Sequence, residues 1–292
     1  MENKSRPIVL SVVIPVLNER TNILSTLERL VVQDAIDQIV VVDNGSTDGT
    51  HTMVAQYGMT HPKVDLVHEP VRGIAQARNT GFDRAAGEFI ARVDADTIVG
   101  PEWGAVVRDY FTDNPDVAAL TGITTYFDSP VGFLLRFGLW LQIKRGKLGG
   151  PVGNLQGANM AIRRSAWEQV REDVSTRPGV IDDLDLALCL SKRRLPMMLL
   201  TQLRAQTSAR RRHTSLRRWW QYQQSGLQTI VDQGFEVLPI HQIFIRMAWL
   251  AHAVQYPIYR FWDFEKRRYT WRRPSARILV LDEKQPRQAE AA

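Results

Sequence analysis

A single cysteine, Cys189, stands in 292 residues, so the chain has no internal disulfide and no cysteine-built zinc site. That scarcity suits a reducing compartment. No apolar run reaches the roughly 20 residues that a bilayer-spanning helix needs. Val131 to Ile143 comes nearest, and it carries Arg136 inside. The apolar stretch Ile8 to Ile14 is not followed by the small-residue cleavage site of a signal peptide, and it reads better as a buried strand. There is no internal repeat, and no low-complexity segment before the last ten residues. An apolar content of 44% with 23% charged residues excludes disorder over most of the length. This length lies near the upper limit for one core, which implies one domain with an appended tail.

The net charge of +6 is unevenly spread. From Leu190 to Ala292 there are 19 Lys and Arg against 7 Asp and Glu, so the first 189 residues are net acidic. A basic tail on an acidic half points to an anionic partner, phosphate groups or a membrane surface, with a solvated basic face as the alternative.

The first hundred residues alternate between two patterns. Val9 to Val16, Ile39 to Val42, Val64 to His68 and Phe89 to Val93 are short β-branched or apolar runs, as expected for strands covered on both faces. Between them, Asn22 to Val32, a segment opening at Ser46-Thr47-Asp48-Gly49, and Ile74 to Ala86 have helical spacing. This β-α-β-α-β-α-β order predicts a parallel sheet with right-handed crossovers. Asp43 and Asp94 each fall just past the carboxyl end of a buried strand, which is where open α/β sheets bind ligands. Further on, the spacing predicts helices over 102–112 and 181–192, and strands over 117–126 and 159–162. A Gly-rich loop spans 146–157.

Asp94-Ala95-Asp96 is the sharpest chemical feature. Two carboxylates at a strand end can hold a hard divalent cation, Mg²⁺ or Mn²⁺, with phosphate oxygens completing its shell. The bland alternative is a turn and helix cap before residue 102.

Five blocks resemble the inverting family-two glycosyltransferases of the GT-A fold. They are VVIPVLNE (12–19), VVDNGSTDGT (41–50), GIAQARNTGFDRAAGEFIARVDADT (73–97), GANMAIRRSAW (157–167) and DDLDLALCL (182–190), in the family's order. The resemblance implies an α/β fold of the nucleotide-diphospho-sugar transferase type, a mostly parallel sheet with helices on both faces and a C-terminal helical basic tail. It implies a catalytic domain over 1–205, a basic-aromatic helical segment over 206–275 on the domain or at a membrane surface, and a flexible tail over 276–292.

It also implies roles. Pro15, Asn18 and Glu19 line the nucleoside pocket, and Asp43 bonds the base, by default uracil. Asn44 stands where the family often has a second Asp. Arg78 faces the nucleotide. Asp96 is the main metal ligand, Asp94 touches the ribose or the metal shell, and His213 is a lesser candidate for the metal or the diphosphate. Direct displacement needs a carboxylate to take the acceptor's proton. The family's block places it at Asp183, with Asp182 as the alternative; both also favour the start of the following helix. Gly157, Ala158 and Asn159 correspond to the acceptor-side segment. Arg211, Arg212, Arg218 and Trp219 form a basic, aromatic group suited to a diphosphate or lipid phosphate. Processive relatives carry Gln-x-x-Arg-Trp there, whereas this chain reads Ser215-Leu216-Arg217-Arg218-Trp219, which implies single addition.

Leu238 to Phe264 is rich in Ile, Phe, Trp and Tyr but is interrupted by Arg246, His252 and Pro257, with basic residues following. It reads as a helix packed on the domain or lying on an anionic membrane. The resulting expectation is a metal-dependent inverting hexosyltransferase at the cytoplasmic side, free or peripheral on the inner face of the membrane. Its donor is a nucleoside diphosphate sugar and its acceptor a saccharide or a lipid-linked one. The alternatives are an inactive sugar-nucleotide-binding scaffold and a nucleotidyltransferase. Nucleic acid is not expected as a partner, because strand-end carboxylates would repel its backbone.

Overall fold

β1 (Leu10–Val16) forms where the chain runs Leu-Ser-Val-Val-Ile-Pro-Val, and all of it is buried, as a strand covered on both faces requires. The computed structural model describes residues 9–271 and residue 274, so the tail expected over 276–292 lies outside the described residues. After β1 come α1 (Ile23–Val31), β2 (Gln38–Asp43), α2 (Thr50–Gly58), β3 (Val64–His68), α3 (Ile74–Arg84) and β4 (Phe89–Val93). β1 pairs in parallel with β2 and β4, and β2 pairs in parallel with β3. The alternation legible in the sequence is thus a run of parallel crossover units. Register sets the strand ends level: Val16 pairs with Asp43, and Asp43 with His68.

The chain continues through β5 (Ile98–Val99), α4 (Trp103–Asp113), β6 (Ala119–Tyr126), α5 (Gly132–Lys144), β7 (Gly150–Pro151), β8 (Asn159–Arg163), α6 (Arg164–Val170), α7 (Asp182–Lys192) and β9 (Met197–Thr207). A 3₁₀ turn at Ala209–His213 follows, then α8 (Leu216–Asp232), α9 (Pro239–Arg260) and a small ribbon of β10 (Trp262–Asp263) and β11 (Arg268–Tyr269). The main sheet has the order β3-β2-β1-β4-β8-β6-β9-β5, with β7 on β9. β8 enters antiparallel between β4 and β6, and β6 runs parallel to β9. β5 and β7 also run against β9, so most strands share one direction. β9 is not among the strands expected from the sequence. Its residues extend across positions 205 and 206.

Alternate residues of the central strands feed two cores. Val12, Ile14, Val41 and Val93 meet Ile23, Leu27 and Leu30 of α1 and Trp103, Val107 and Phe111 of α4. Val13, Val40, Val42 and Ile90 meet Phe82 of α3, Trp167 of α6 and Leu186 and Leu190 of α7. The two layers of helices clamp the sheet and hold the strand ends in place.

α5 and α9 differ from the rest. Phe133, Phe137 and Trp140 of α5 and Ile243, Phe244 and Met247 of α9 are all more than half exposed. The loop before α5 is tied to the end of α9 and to β10: Ser129 Oγ lies 2.7 Å from the Tyr259 hydroxyl, and Trp262 Nε1 donates to the Asp128 carbonyl at 2.8 Å. Among the described residues, no helix is long and apolar enough to cross a membrane. α9 also packs inward: His252, fully buried, contacts the Thr214 carbonyl through Nε2 at 2.9 Å.

Leu27 is wholly buried between α1 and the sheet. Leu27→Ala is expected to lower unfolding free energy by about 3 kcal/mol, the cost of lost transfer plus cavity, read from urea denaturation.

Candidate active site

The polar residues gather where β1, β2 and β4 end. Asp94 follows β4 directly and is partly exposed, whereas Asp96 is buried. Asp96 accepts from the Thr207 hydroxyl at 2.7 Å, and its other oxygen lies 3.0 Å from Arg210 Nη2. Arg210 also grips Glu19 with both guanidinium nitrogens, at 3.0 and 2.6 Å. A cationic group therefore already stands between Asp96 and Glu19. Burial raises the Asp96 carboxyl above its ordinary range, Arg210 opposes that, and Asp94 adds to it. Asp94 and Asp96 offer only oxygen ligands to a hard cation. Among the described residues, no third ligating side chain joins them in a tight group. That suits a metal whose remaining positions go to water and phosphate, as Mg²⁺ sites commonly arrange.

Arg92 was not singled out in the sequence, although an arginine in an otherwise apolar strand requires a partner. It is buried in β4 and forms an ion pair and hydrogen bond with Asp182, while its Nη2 lies 3.5 Å from Asp94. Asp182 and Asp183 open α7, and the first-turn N–H groups there favour negative charge. Arg78 supports the same helix start from beneath. It is fully buried, donates from Nη1 to the Asp182 carbonyl at 2.8 Å, and lies near the Phe82 and Trp167 rings. The side chain expected to face the nucleotide is thus turned into the core. Asp83, on the same helix as Arg78, accepts from Trp167 Nε1 at 2.7 Å.

The two acids of α7 are driven apart. For Asp182, burial alone would raise the carboxyl, but Arg92 and then Arg78 hold it below the usual range. For Asp183, burial and then the Asp182 charge raise it. The Gly157 N–H, at 2.9 Å from Asp183 Oδ2, and the Leu184 N–H, at 2.9 Å from Oδ1, offset this only in part. Such splitting is how neighbouring acids acquire separate roles.

A Cβ on Gly157 would lie 2.9 Å from the Arg92 guanidinium carbon, so a side chain there would have to displace the guanidinium that pairs with Asp182. Ala158 follows it in the loop, half-buried. Asn159 turns inward, accepting from Trp103 Nε1 at 2.9 Å and donating to the Leu203 carbonyl at 3.0 Å. Its amide ties β8 to α4 and β9 and does not line the crevice.

On the β1–β2 side, Pro15 pairs with Val42 inside the sheet. Asn18 adopts the left-handed region at φ 55°. Its N–H donates to Ser46 Oγ at 2.8 Å, and its carbonyl oxygen Oδ1 accepts from the Thr47 N–H at 2.7 Å. Asp43 accepts from the Ser46 N–H at 3.1 Å, and its second oxygen faces His51. Asn44 is fully engaged: it donates to the Glu69 and Val71 carbonyls and accepts from the Gly73 N–H. It shapes the β3–α3 loop.

The C-terminal cluster divides. Desolvation works against the Arg211 charge, yet Asp94, Tyr222, Asp96 and Asp183 together raise it above the usual range. Arg212 lies over the Tyr126 and Trp219 rings, and Trp219 stacks on His252 at 4.5 Å. Arg218 is exposed at the start of α8, where its N–H bonds the Ser215 cap. His213 is buried, with Nε2 2.6 Å from the Tyr259 carbonyl and its ring against Phe264. It joins no ligating group with Asp94 and Asp96. Tyr222 of α8, unmarked in the sequence, is pushed up to about 12 by burial and then by the Asp183 charge.

A sheet whose parallel strands end in carboxylates over one crevice, with acids on a facing helix, defines a GT-A fold. Residues 11–171 match the family described as Glycosyl transferase family 2, more than half of the chain, and the chain belongs to that family. Among curated relatives it is similar to the uncharacterized glycosyltransferase YibD of Escherichia coli, 36% identical over 111 residues (37% of this chain, 32% of that protein). It is also similar to glycosyltransferase AglE of Haloferax volcanii, 34% identical over 97 residues and 32% of each. The matched stretch spans about a third of the length of these relatives. The mannosyltransferase PcManGT of Pyrobaculum calidifontis, solved with GDP-Man and Mn²⁺, superposes with a TM-score of 0.63 at 22% identity, covering 87% of this chain and 74% of that one. Glucosyl-3-phosphoglycerate synthase of Mycobacterium tuberculosis, solved with Mg²⁺ and UDP, gives 0.56 at 18% identity, covering 78% and 80%.

Arg92→Met leaves Asp182 buried without its counter-charge. Unfolding free energy should fall by about 3–5 kcal/mol, read by chemical denaturation, and Arg92→Met/Asp182→Leu should recover much of it.

Proposed function

We propose that the protein is a metal-dependent inverting glycosyltransferase that moves a sugar from a nucleoside diphosphate, UDP by default, to an acceptor hydroxyl in single additions. The observation that carries this is the division of the two acids of α7, one held ionised by Arg92 and one raised, across from the Asp94–Asp96 pair. The solved relatives with GDP-Man, UDP and a divalent cation support the donor class.

A divalent cation, Mn²⁺ or Mg²⁺, held by Asp96 and Asp94 would supply positive charge to the diphosphate as it leaves. For that, Arg210 gives up Asp96 and keeps Glu19, and Arg211 adds a second cation near Asp94. Asp43, with Pro15 and Asn18 framing the pocket, takes the base. Asp183 accepts the proton of the incoming hydroxyl, since a carboxylate poised above its ordinary range takes a proton more readily. Asp182 keeps its charge and holds Arg92 in place. One displacement without a covalent intermediate inverts the anomeric centre. An inactive scaffold would have no use for the raised acid at 183.

The acceptor reading is a lipid-linked one at an anionic membrane surface. It is supported by the exposed apolar side chains of α5 and α9, with the exposed Lys144, Arg145, Lys266 and Arg268 near them in sequence. The catalytic unit over 1–205, with 206–275 as the membrane-facing segment, fits that reading. A cytoplasmic-side station at the inner face would accompany it.

Asp96→Ala should abolish Mn²⁺-dependent donor binding in calorimetry over a panel of nucleotide sugars. Asp183→Asn should keep donor binding, lose transfer by about 10²- to 10⁴-fold and remove the acid limb of the rate profile. In the parent, that limb should lie above the ordinary Asp range, because Asp183 must lose its proton to act and its carboxyl is raised. Transfer at the parental rate by Asp183→Asn would refute the base assignment. Vesicles containing phosphatidylglycerol should retain the protein on sedimentation and phosphatidylcholine vesicles should not, with Phe137→Ser/Phe244→Ser releasing it. Equal retention by both vesicles would remove the membrane reading.

A further inference from the structure

We propose that Asp43, His51 and His68 form a second cation site, for an imidazole-preferring divalent ion such as Zn²⁺, apart from Asp94 and Asp96. The three side chains come from separate rigid elements: the last residue of β2, the first turn of α2 and the last residue of β3. Each offers one ligand atom, and these atoms lie within 4.8 Å of one another. His51 Nδ1 is 3.2 Å and His68 Nδ1 4.0 Å from the same oxygen, Asp43 Oδ2. A hydrogen bond accounts for the first distance but not for the second. Two imidazole nitrogens converging on one carboxylate oxygen is the arrangement a shared cation would use.

The spacing agrees with that use. Bond lengths of 2.0–2.2 Å in tetrahedral geometry put ligand atoms about 3.3 Å apart. The existing separations therefore need only small side-chain rotations. The backbone holds the set together, since Asp43 and His68 are register partners on adjacent strands. The Asp43 carboxylate is already oriented through its other oxygen by the Ser46 N–H, the kind of outer contact that metal ligands commonly have. Asp43 is buried, while the side chains of His51 and His68 are about half exposed, at 49% and 57%, which gives an ion an open approach. Three ligands leave a position for water or an exogenous group.

The donor atoms choose the ion. Two imidazoles and one carboxylate suit Zn²⁺, Ni²⁺ or Co²⁺ and not Mg²⁺, which demands an octahedron of oxygens. The Asp94–Asp96 pair has the opposite chemistry, so the two sites sort different cations. Asp43 is also the residue read above as the base contact, and this consequence rests on that reading: an ion held by Asp43 occupies the base end of the donor crevice. Zn²⁺ would then act as a competitive inhibitor of donor binding at a point remote from the diphosphate.

The test uses the full chain carrying Asp96→Asn, titrated with Zn²⁺ by calorimetry in excess Mg²⁺. One equivalent should bind, and adding His51→Ala or His68→Ala should weaken it by at least about tenfold, whereas His61→Ala should change nothing. Co²⁺ should give a visible absorption band that His68→Ala abolishes. Zn²⁺ affinity and Co²⁺ spectrum unaltered by both His51→Ala and His68→Ala would overturn the site. Nucleotide affinity is then measured at buffered free Zn²⁺, where it should fall in the parent and not in His68→Ala. Zn²⁺ binding through the histidines without that fall would uphold the site and instead overturn the reading of Asp43 as the base contact.

Discussion

The site depends on one buried cation. Arg92 rises from the middle of the sheet with Asp182 on one side and Asp94 on the other. An arginine taken out of water costs several kcal/mol unless carboxylates and good geometry offset it. The chain meets that demand with two elements far apart in sequence. The strand end that presents Asp94 and Asp96 is thereby fixed against the helix that presents Asp183. Arg78 reinforces the arrangement from below through the Asp182 carbonyl. The Arg92 guanidinium also occupies the space that a methyl on Gly157 would need.

From this contact follows the chemistry of the acids. Asp182 spends its charge on Arg92 and Arg78, and its negative charge in turn raises Asp183. On the opposite wall, Arg210 balances Asp96 and Glu19 in the same way. The crevice thus balances Asp182 and Asp94 with Arg92, and Asp96 and Glu19 with Arg210. The arginine near Asp96 divides its contacts between two carboxylates, while the one beside Asp182 is buried against it.

Much of this architecture is legible in the sequence. The four opening strands, the helices between them and the two strand-end acids followed from apolar periodicity, because each is a local pattern. The acids at 182 and 183 stood out through a family motif. What escaped were side chains whose role depends on distant partners. Arg92 looks like one more polar residue in a strand, and Arg210 is one of three consecutive arginines that sequence cannot tell apart. Tyr222 has no mark at all. Conversely, Arg78, Asn44 and Asn159 have the polarity of ligand contacts but spend it inside the protein on carbonyls and an indole. Polarity says that a partner exists, not whether it is substrate or backbone. β9 went unseen because its second half alternates with polar residues and its pairing with β6 spans a wide separation.

The 3₁₀ turn at Ala209–His213 has a further consequence. One end carries Arg210, whose guanidinium is shared between Glu19 and Asp96, and the other end, His213, is lodged against the Tyr259 carbonyl in the last turn of α9. Thr214, the next residue, holds His252 of the same helix. A five-residue link is too short to absorb much slack. The position of α9 and that of the guanidinium beside Asp96 are thus set by the two ends of one short turn.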